Sequence, residues 1–106
     1  MFELKNKTIM VTGGAQGIGK AISTALASQG ARVAIADIDW AAAGKTVDEL
    51  RQQSLAAMAV QTDITDLQKV KQSVANVKEA FGSIDVLVNN AGWDRMTPFI
   101  DTTPDF

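Results

Sequence analysis

The sequence predicts an α/β chain built on a parallel, doubly wound sheet, and three observations carry that prediction. Short apolar runs alternate with longer amphipathic stretches in the order βαβαβαβ, which calls for parallel strands joined by right-handed crossovers. The runs at 33–36 and 86–88 are apolar at consecutive positions, as strands covered on both faces should be. Each run also ends in Gly, Asp or Asn, so the polar turns gather at the C-terminal ends of the strands.

Taken in order, Ile9-Met10-Val11 is a short β-branched run that stops at the turn Thr12-Gly13-Gly14. From Ile18 to about Gln29 a helix is expected, with Ile18, Ile22, Ala25 and Leu26 as its apolar positions and Gly30 as its end. Arg32 to Ala36 reads as a buried strand closed by Asp37. A second helix, roughly Trp40 to Gln53, places Val47 and Leu50 inward.

Ala57 to Val60 forms the third run and leads into Asp63-Ile64-Thr65. Thr65 and Gln68 have the spacing of a capping box, which predicts a helix start at Thr65. Leu67, Val70, Val74, Val77 and Phe81 then step by three and four residues until Gly82. Ile84 to Val88 is the fourth strand, expected beside the first, and it runs into Asn89-Asn90-Ala91-Gly92. Residues 93–106 carry both prolines without sustained periodicity and read as an irregular tail. The whole is one domain, 1–106, cut short after its fourth strand. That strand would be an edge with no Lys, Pro or bulge to block pairing, so a self-associating fragment is an alternative reading.

Composition narrows the chemistry. Among 106 residues there is no Cys, His or Tyr, which removes thiolate and imidazole metal ligands, disulfides and the Ser-His nucleophilic pair. A formal net charge of −2 gives no clustered basic footprint for nucleic acid. No run of about 18 apolar residues is present to cross a membrane. The N-terminus lacks the basic-then-apolar order of a secretory signal, so the expected compartment is the cytoplasm.

The segment Thr12-Gly13-Gly14-Ala15-Gln16-Gly17-Ile18-Gly19 sits where the first strand turns into the first helix. Glycines there let backbone N–H groups approach an anion, and the helix N-terminus adds about half a positive charge. Two phosphate-binding readings compete with a plain βα turn. Gly14-x-x-x-x-Gly19-Lys20 fits a P-loop except at its last position, where Ala21 replaces the hydroxyl that holds magnesium. The glycines at 13, 17 and 19 instead give G-x-x-x-G-x-G, a variant of the dinucleotide-binding loop. Asp37, 18 residues after Gly19, stands where a carboxylate can accept the adenosine ribose hydroxyls. It would repel a 2′-phosphate, and neither Gln16 nor Ile38 offers a compensating charge, so NAD is expected over NADP. The alternative for Asp37 is a strand-end turn residue or helix cap.

These residues together resemble the short-chain dehydrogenase/reductase family, whose Rossmann-type fold is the doubly wound sheet expected above. Thr12-Gly13-x-x-x-Gly17-x-Gly19 is similar to the family's cofactor loop, and Asp37 to its NAD-selecting acid. Asp63-Ile64 resembles the pair beside the adenine, and Asn89-Asn90-Ala91-Gly92 the segment supporting the cofactor wall. Otherwise Asp63 merely precedes a helix, and the asparagines satisfy strand-end backbone groups. The resemblance implies cofactor contacts at Gly13, Gln16, Gly17, Ile18, Gly19, Asp37, Ile38, Asp63, Ile64, Asn89, Asn90, Ala91 and Gly92. It implies NAD(H) as partner, an alcohol or ketone as substrate of the intact form, and a homo-oligomer. Trp93-Asp94-Arg95 falls where the family begins to line its substrate pocket.

The family's catalytic Ser, and its Tyr with a Lys four residues later, have no counterparts in this sequence. No catalytic residue is assigned, and only weak NAD binding is expected of the chain as it stands.

Overall fold

A computed structural model describes residues 4–90. It contains β1 (Thr8–Thr12), α1 (Gly17–Ser28), β2 (Arg32–Asp37), α2 (Trp40–Gln52), β3 (Ala57–Gln61), α3 (Leu67–Phe81) and β4 (Val86–Asn89). The four strands are all parallel and lie in the order β3-β2-β1-β4, with the fourth beside the first as expected.

Alternation along the strands decides which helix covers which face. Ile9 and Val11 of β1, with Val33 and Ile35 of β2, join Ala27 of α1 and Ala43, Val47 and Leu50 of α2 in one core. Met10, Ala34 and Ala36 point the other way and meet Val60, Leu87 and the Val70, Val74 and Val77 stripe of α3. Helices therefore cover both faces, which is the doubly wound arrangement.

The registers bring the strand ends level: Thr12 sits opposite Ala36 and Asn89, and Asp37 opposite Gln61. Among the described residues, every loop that leaves a strand therefore starts from one edge of the sheet. At the opposite edge the Asp85 N–H donates to Thr8 O at 2.8 Å, and Asp85 Oδ2 accepts from the Thr8 N–H at 2.8 Å. This reciprocal pair sets the β1–β4 register and takes Asp85 out of the strand that the sequence places at Ile84–Val88.

Two helix details differ from the sequence reading. In α3 the N-cap is Asp66 rather than Thr65: its carboxylate accepts from the N–H groups of Gln68 and Lys69. The carboxylate is the stronger acceptor for two orphan amides, and the Thr65 hydroxyl is occupied elsewhere. In α1 the buried positions are Gly19, Ser23 and Ala27, whereas Ile18 is 74% exposed. The helix presents its small residues to the sheet because it lies close against the preceding loop. At the other ends, Gly30 (φ 97°) and Gly82 (φ 93°) take the left-handed conformation that stops α1 and α3, as their positions suggested.

Candidate functional site

At the level edge of the sheet, the β1–α1 loop is held by its carbonyl groups. The Gly13 carbonyl accepts from Asn90 Nδ2 at 3.2 Å, that of Gly14 from Ser23 Oγ at 3.3 Å, and that of Ala15 from Thr46 Oγ1 at 2.8 Å. Three elements, the end of β4, α1 and α2, thus fix three successive peptides. Two loop amides also turn inward: Gly13 N–H donates to Ala36 O at 2.7 Å, and Ala15 N–H to Asp37 Oδ2 at 3.2 Å.

The first turn of α1 behaves differently. Its N-cap, Gln16, makes no side-chain hydrogen bond to the helix, and no acidic residue lies in the first turn. By contrast α2 and α3 are capped by the carboxylates of Asp39 and Asp66. As at any helix start, the N–H groups of Gly17, Ile18 and Gly19 have no acceptor within the helix, and the Gln16 side chain does not cap them. Gly19 is required for this geometry. A Cβ there would run into the Gly13 carbonyl and come within 2.8 Å of Asn90 Nδ2.

Beside the loop lies a crevice of about 110 Å³ lined by Gly13, Ala36, Asp37, Ile38, Thr62, Asp63 and Ile64. It offers two carboxylates and two aliphatic side chains. This chemistry suits a flat apolar ring carrying hydroxyl or amino donors and repels a phosphate. A larger groove of about 320 Å³ shares Ile38, Thr62 and Asp63 with it and continues along α3 past Lys69 and Asn76.

Asp37 accepts from the Ala15 N–H with one oxygen and from the Asp39 N–H, at 3.0 Å, with the other. Each oxygen keeps a second lone pair for a further donor. Asp63 Oδ1 accepts from the Thr65 hydroxyl at 2.6 Å and from its N–H at 2.9 Å. The Thr65 hydroxyl first, then its amide, and more weakly Lys69 hold the Asp63 carboxyl below the usual carboxylate range. Glu49 is likewise lowered, chiefly by its hydrogen bond to Lys20. Both groups bind fewer protons folded than unfolded. Their stabilisation is therefore present above the ordinary carboxylate range and is lost as pH falls through their lowered folded values. Melting followed between about pH 7 and about pH 3 should show a level midpoint that drops in acid, with a shallower drop in Thr65→Val.

Most of the sequence-chosen residues gather here. Gly13, Asp37, Ile38, Asp63 and Ile64 line one crevice, while Gln16, Gly17, Ile18 and Gly19 form the adjoining helix end. Asn89 and Asn90 act on the loop from β4. Thr12 Oγ1 donates to Asn89 Oδ1 at 2.9 Å and accepts from the Asn90 N–H at 3.0 Å. Ala91, Gly92 and the 93–106 tail lie outside the described residues. Lys20, the residue that made a P-loop worth weighing, is drawn off to Glu49 at 2.8 Å. The sequence reading missed Ala15, Ser23 and Thr46. Ser23 was legible as the middle of the small-residue series Gly19, Ser23, Ala27; Thr46 carries no local signal beyond a hydroxyl on the inward face of α2.

Known proteins share this pattern. The family model for short chain dehydrogenase matches residues 7–105. Sorbitol dehydrogenase of Cereibacter sphaeroides is 43% identical over 100 residues, covering 94% of this chain and 38% of the relative. The 5-keto-D-gluconate 5-reductase of Escherichia coli (strain K12) is 39% identical over 101 residues, covering 95% and 40%. A short chain dehydrogenase/reductase from Burkholderia phymatum, solved in complex with NAD, superposes with a TM-score of 0.78 at 34% identity, over 82% of this chain and 31% of that one. The chain belongs to the short-chain dehydrogenase/reductase family. It spans about two fifths of the length of the curated relatives it matches. Among the described residues no helix is long and apolar enough to cross a membrane, and no three or more His, Cys, Asp or Glu side chains are grouped to hold a metal ion.

Proposed function

We propose that the chain binds the adenosine diphosphate portion of NAD, as the N-terminal half of a dehydrogenase that moves hydride between NAD(H) and an alcohol or ketone. The observation that carries this reading is the uncapped start of α1 beside a crevice bearing Asp37 and Asp63. The helix end accepts anions and the crevice rejects them, so a pyrophosphate fits the first and an unphosphorylated adenosine the second. A 2′-phosphate at Asp37 would meet a carboxylate with no cation lining the crevice, which favours NAD over NADP.

In this arrangement the N–H groups of Gly17, Ile18 and Gly19 hold the pyrophosphate, and Asp37 accepts from the ribose hydroxyls. Asp63 accepts from the adenine amino group between Ile38 and Ile64. Asn89 and Asn90 keep the loop seated on β4. When bound, NAD supplies a hydride acceptor. The acid/base Tyr expected from the family is not among these 106 residues. The names of the two curated relatives, for sorbitol and 5-keto-D-gluconate, support an alcohol or ketone as the substrate class.

Calorimetric titration tests this. Weak, saturable NAD binding with at least tenfold weaker NADP binding is expected, a difference of about 1.4 kcal/mol. Equal affinity for the two, or none for either, would contradict the reading.

A further inference from the structure

Thr46 lies on the inward face of α2 between Ala43, Val47 and Leu50 and is 2% exposed. A hydroxyl at such a position is costly unless bonded, and its partner is the Ala15 carbonyl at 2.8 Å. Ala15 is itself 2% exposed, and its N–H is taken by Asp37. In a planar trans peptide the carbonyl of one residue and the N–H of the next point in opposite directions. Holding the Ala15 carbonyl toward α2 therefore aims the Gln16 N–H away from α2, and it sets the plane from which α1 departs at Gly17.

We propose that Thr46 is a positioning residue for the anion-binding end of α1. It touches no ligand and acts through the Ala15–Gln16 peptide. The inference rests on the reading that this end holds a pyrophosphate. Without the Thr46 hydroxyl the Ala15 carbonyl is left buried and unpaired, and the peptide turns to find another donor. The amides beyond it then no longer converge on one anion. Thr46 and Ala15 do not line the adenosine crevice, and Ala15 reaches it only through the N–H it donates to Asp37, which belongs to the preceding peptide. Adenosine recognition therefore changes far less than anion binding.

Thr46→Val keeps the shape and removes the hydroxyl. With the 106-residue chain titrated by calorimetry, its Kd for ADP and for NAD should rise roughly tenfold, the scale of one hydrogen bond. Its Kd for adenosine should stay within about twofold, and Thr46→Ser should restore ADP binding. A purely structural role would lower the melting temperature while leaving the ratio of ADP to adenosine affinity unchanged, and that result would overturn the proposal. So would wild-type ADP affinity in Thr46→Val. Should the valine variant not fold, Thr46→Ala set against Thr46→Ser asks the same question, and equal ADP affinity in the two would count against the proposal. A wild-type chain that binds ADP no better than adenosine refutes the pyrophosphate reading itself, and this inference with it.

Discussion

Gly19→Ala should be among the most damaging single substitutions available in this chain. The added methyl has no free volume to enter, because it would overlap the Gly13 carbonyl and press on Asn90 Nδ2. The Gly13 carbonyl is backbone, already fixed by Asn90 at 3.2 Å, and Gly13 N–H is tied to Ala36 O at 2.7 Å. Relief must come by lifting α1 off the sheet, which also breaks the close approach of Ser23 to Gly14. Overpacking of this kind costs about 3 kcal/mol or more. At roughly 4–8 °C per kcal/mol for a domain of this size, the melting midpoint should fall by about 12 °C at least. Gly17→Ala is the contrast. Its Cβ would meet nothing within 4 Å, and the only cost is the left-handed φ of 56°. That strain is about 1–2 kcal/mol, so thermal melting should rank Gly19→Ala well below Gly17→Ala. The reverse order would mean that the loop is not packed as described.

Asp37→Ala should abolish the preference between the two nicotinamide dinucleotides. Two losses combine at this position. The carboxylate no longer meets the ribose hydroxyls, and the Ala15 N–H loses the acceptor 3.2 Å away that seats the loop. A hydrogen bond to a charged group contributes about 1.5–3 kcal/mol, so NAD affinity should drop roughly ten- to a hundredfold. NADP affinity should hold or improve, since the repulsive charge is gone. Asp37→Asn separates the two effects: it keeps an acceptor for the loop amide and removes the charge. Its NAD loss should be smaller and its gain toward NADP similar. If both variants keep the wild-type ratio of NAD to NADP affinity, Asp37 does not select the cofactor.

The element order, the two-sided core and the strand order were legible because they rest on long, redundant patterns. The α3 stripe of Val70, Val74 and Val77 repeats one message over several turns, and the run at Val33–Ala36 is buried as its composition implied, whereas in the run 86–88 Leu87 alone is buried and Val86 is 45% exposed. Short-range competition was harder to read. At the start of α3, Thr65 and Asp66 are both good caps, and the outcome turned on Asp63 engaging the Thr65 hydroxyl first. In α1 the apolar Ile18 outweighed Gly19, Ser23 and Ala27 on a hydrophobic count. Close packing against a loop favours small side chains over apolar ones, so the stripe runs through those three.

The candidate site divides along the same line. Gly13, Asp37, Asp63 and Asn90 stand at strand ends, so a chain-order argument suffices to bring them to one edge. The groups that anchor the loop from behind come from helix interiors. Thr46 is 31 residues from Ala15 in sequence, and nothing local ties its hydroxyl to that carbonyl. The sequence reading also cast Asn89 and Asn90 as either a cofactor wall or strand-end ties. In the structure both asparagines bond to β1 and its loop.

The most direct measurement of the central claim is an NAD titration of the 106-residue chain followed amide by amide by NMR. The backbone N–H resonances of Gln16, Gly17, Ile18 and Gly19 should move most, with Asp37 and Ile38 next and Thr8 and Asp85 at the far edge of the sheet unmoved. Shifts that spare residues 16–19, or that centre on the far edge, would contradict the account.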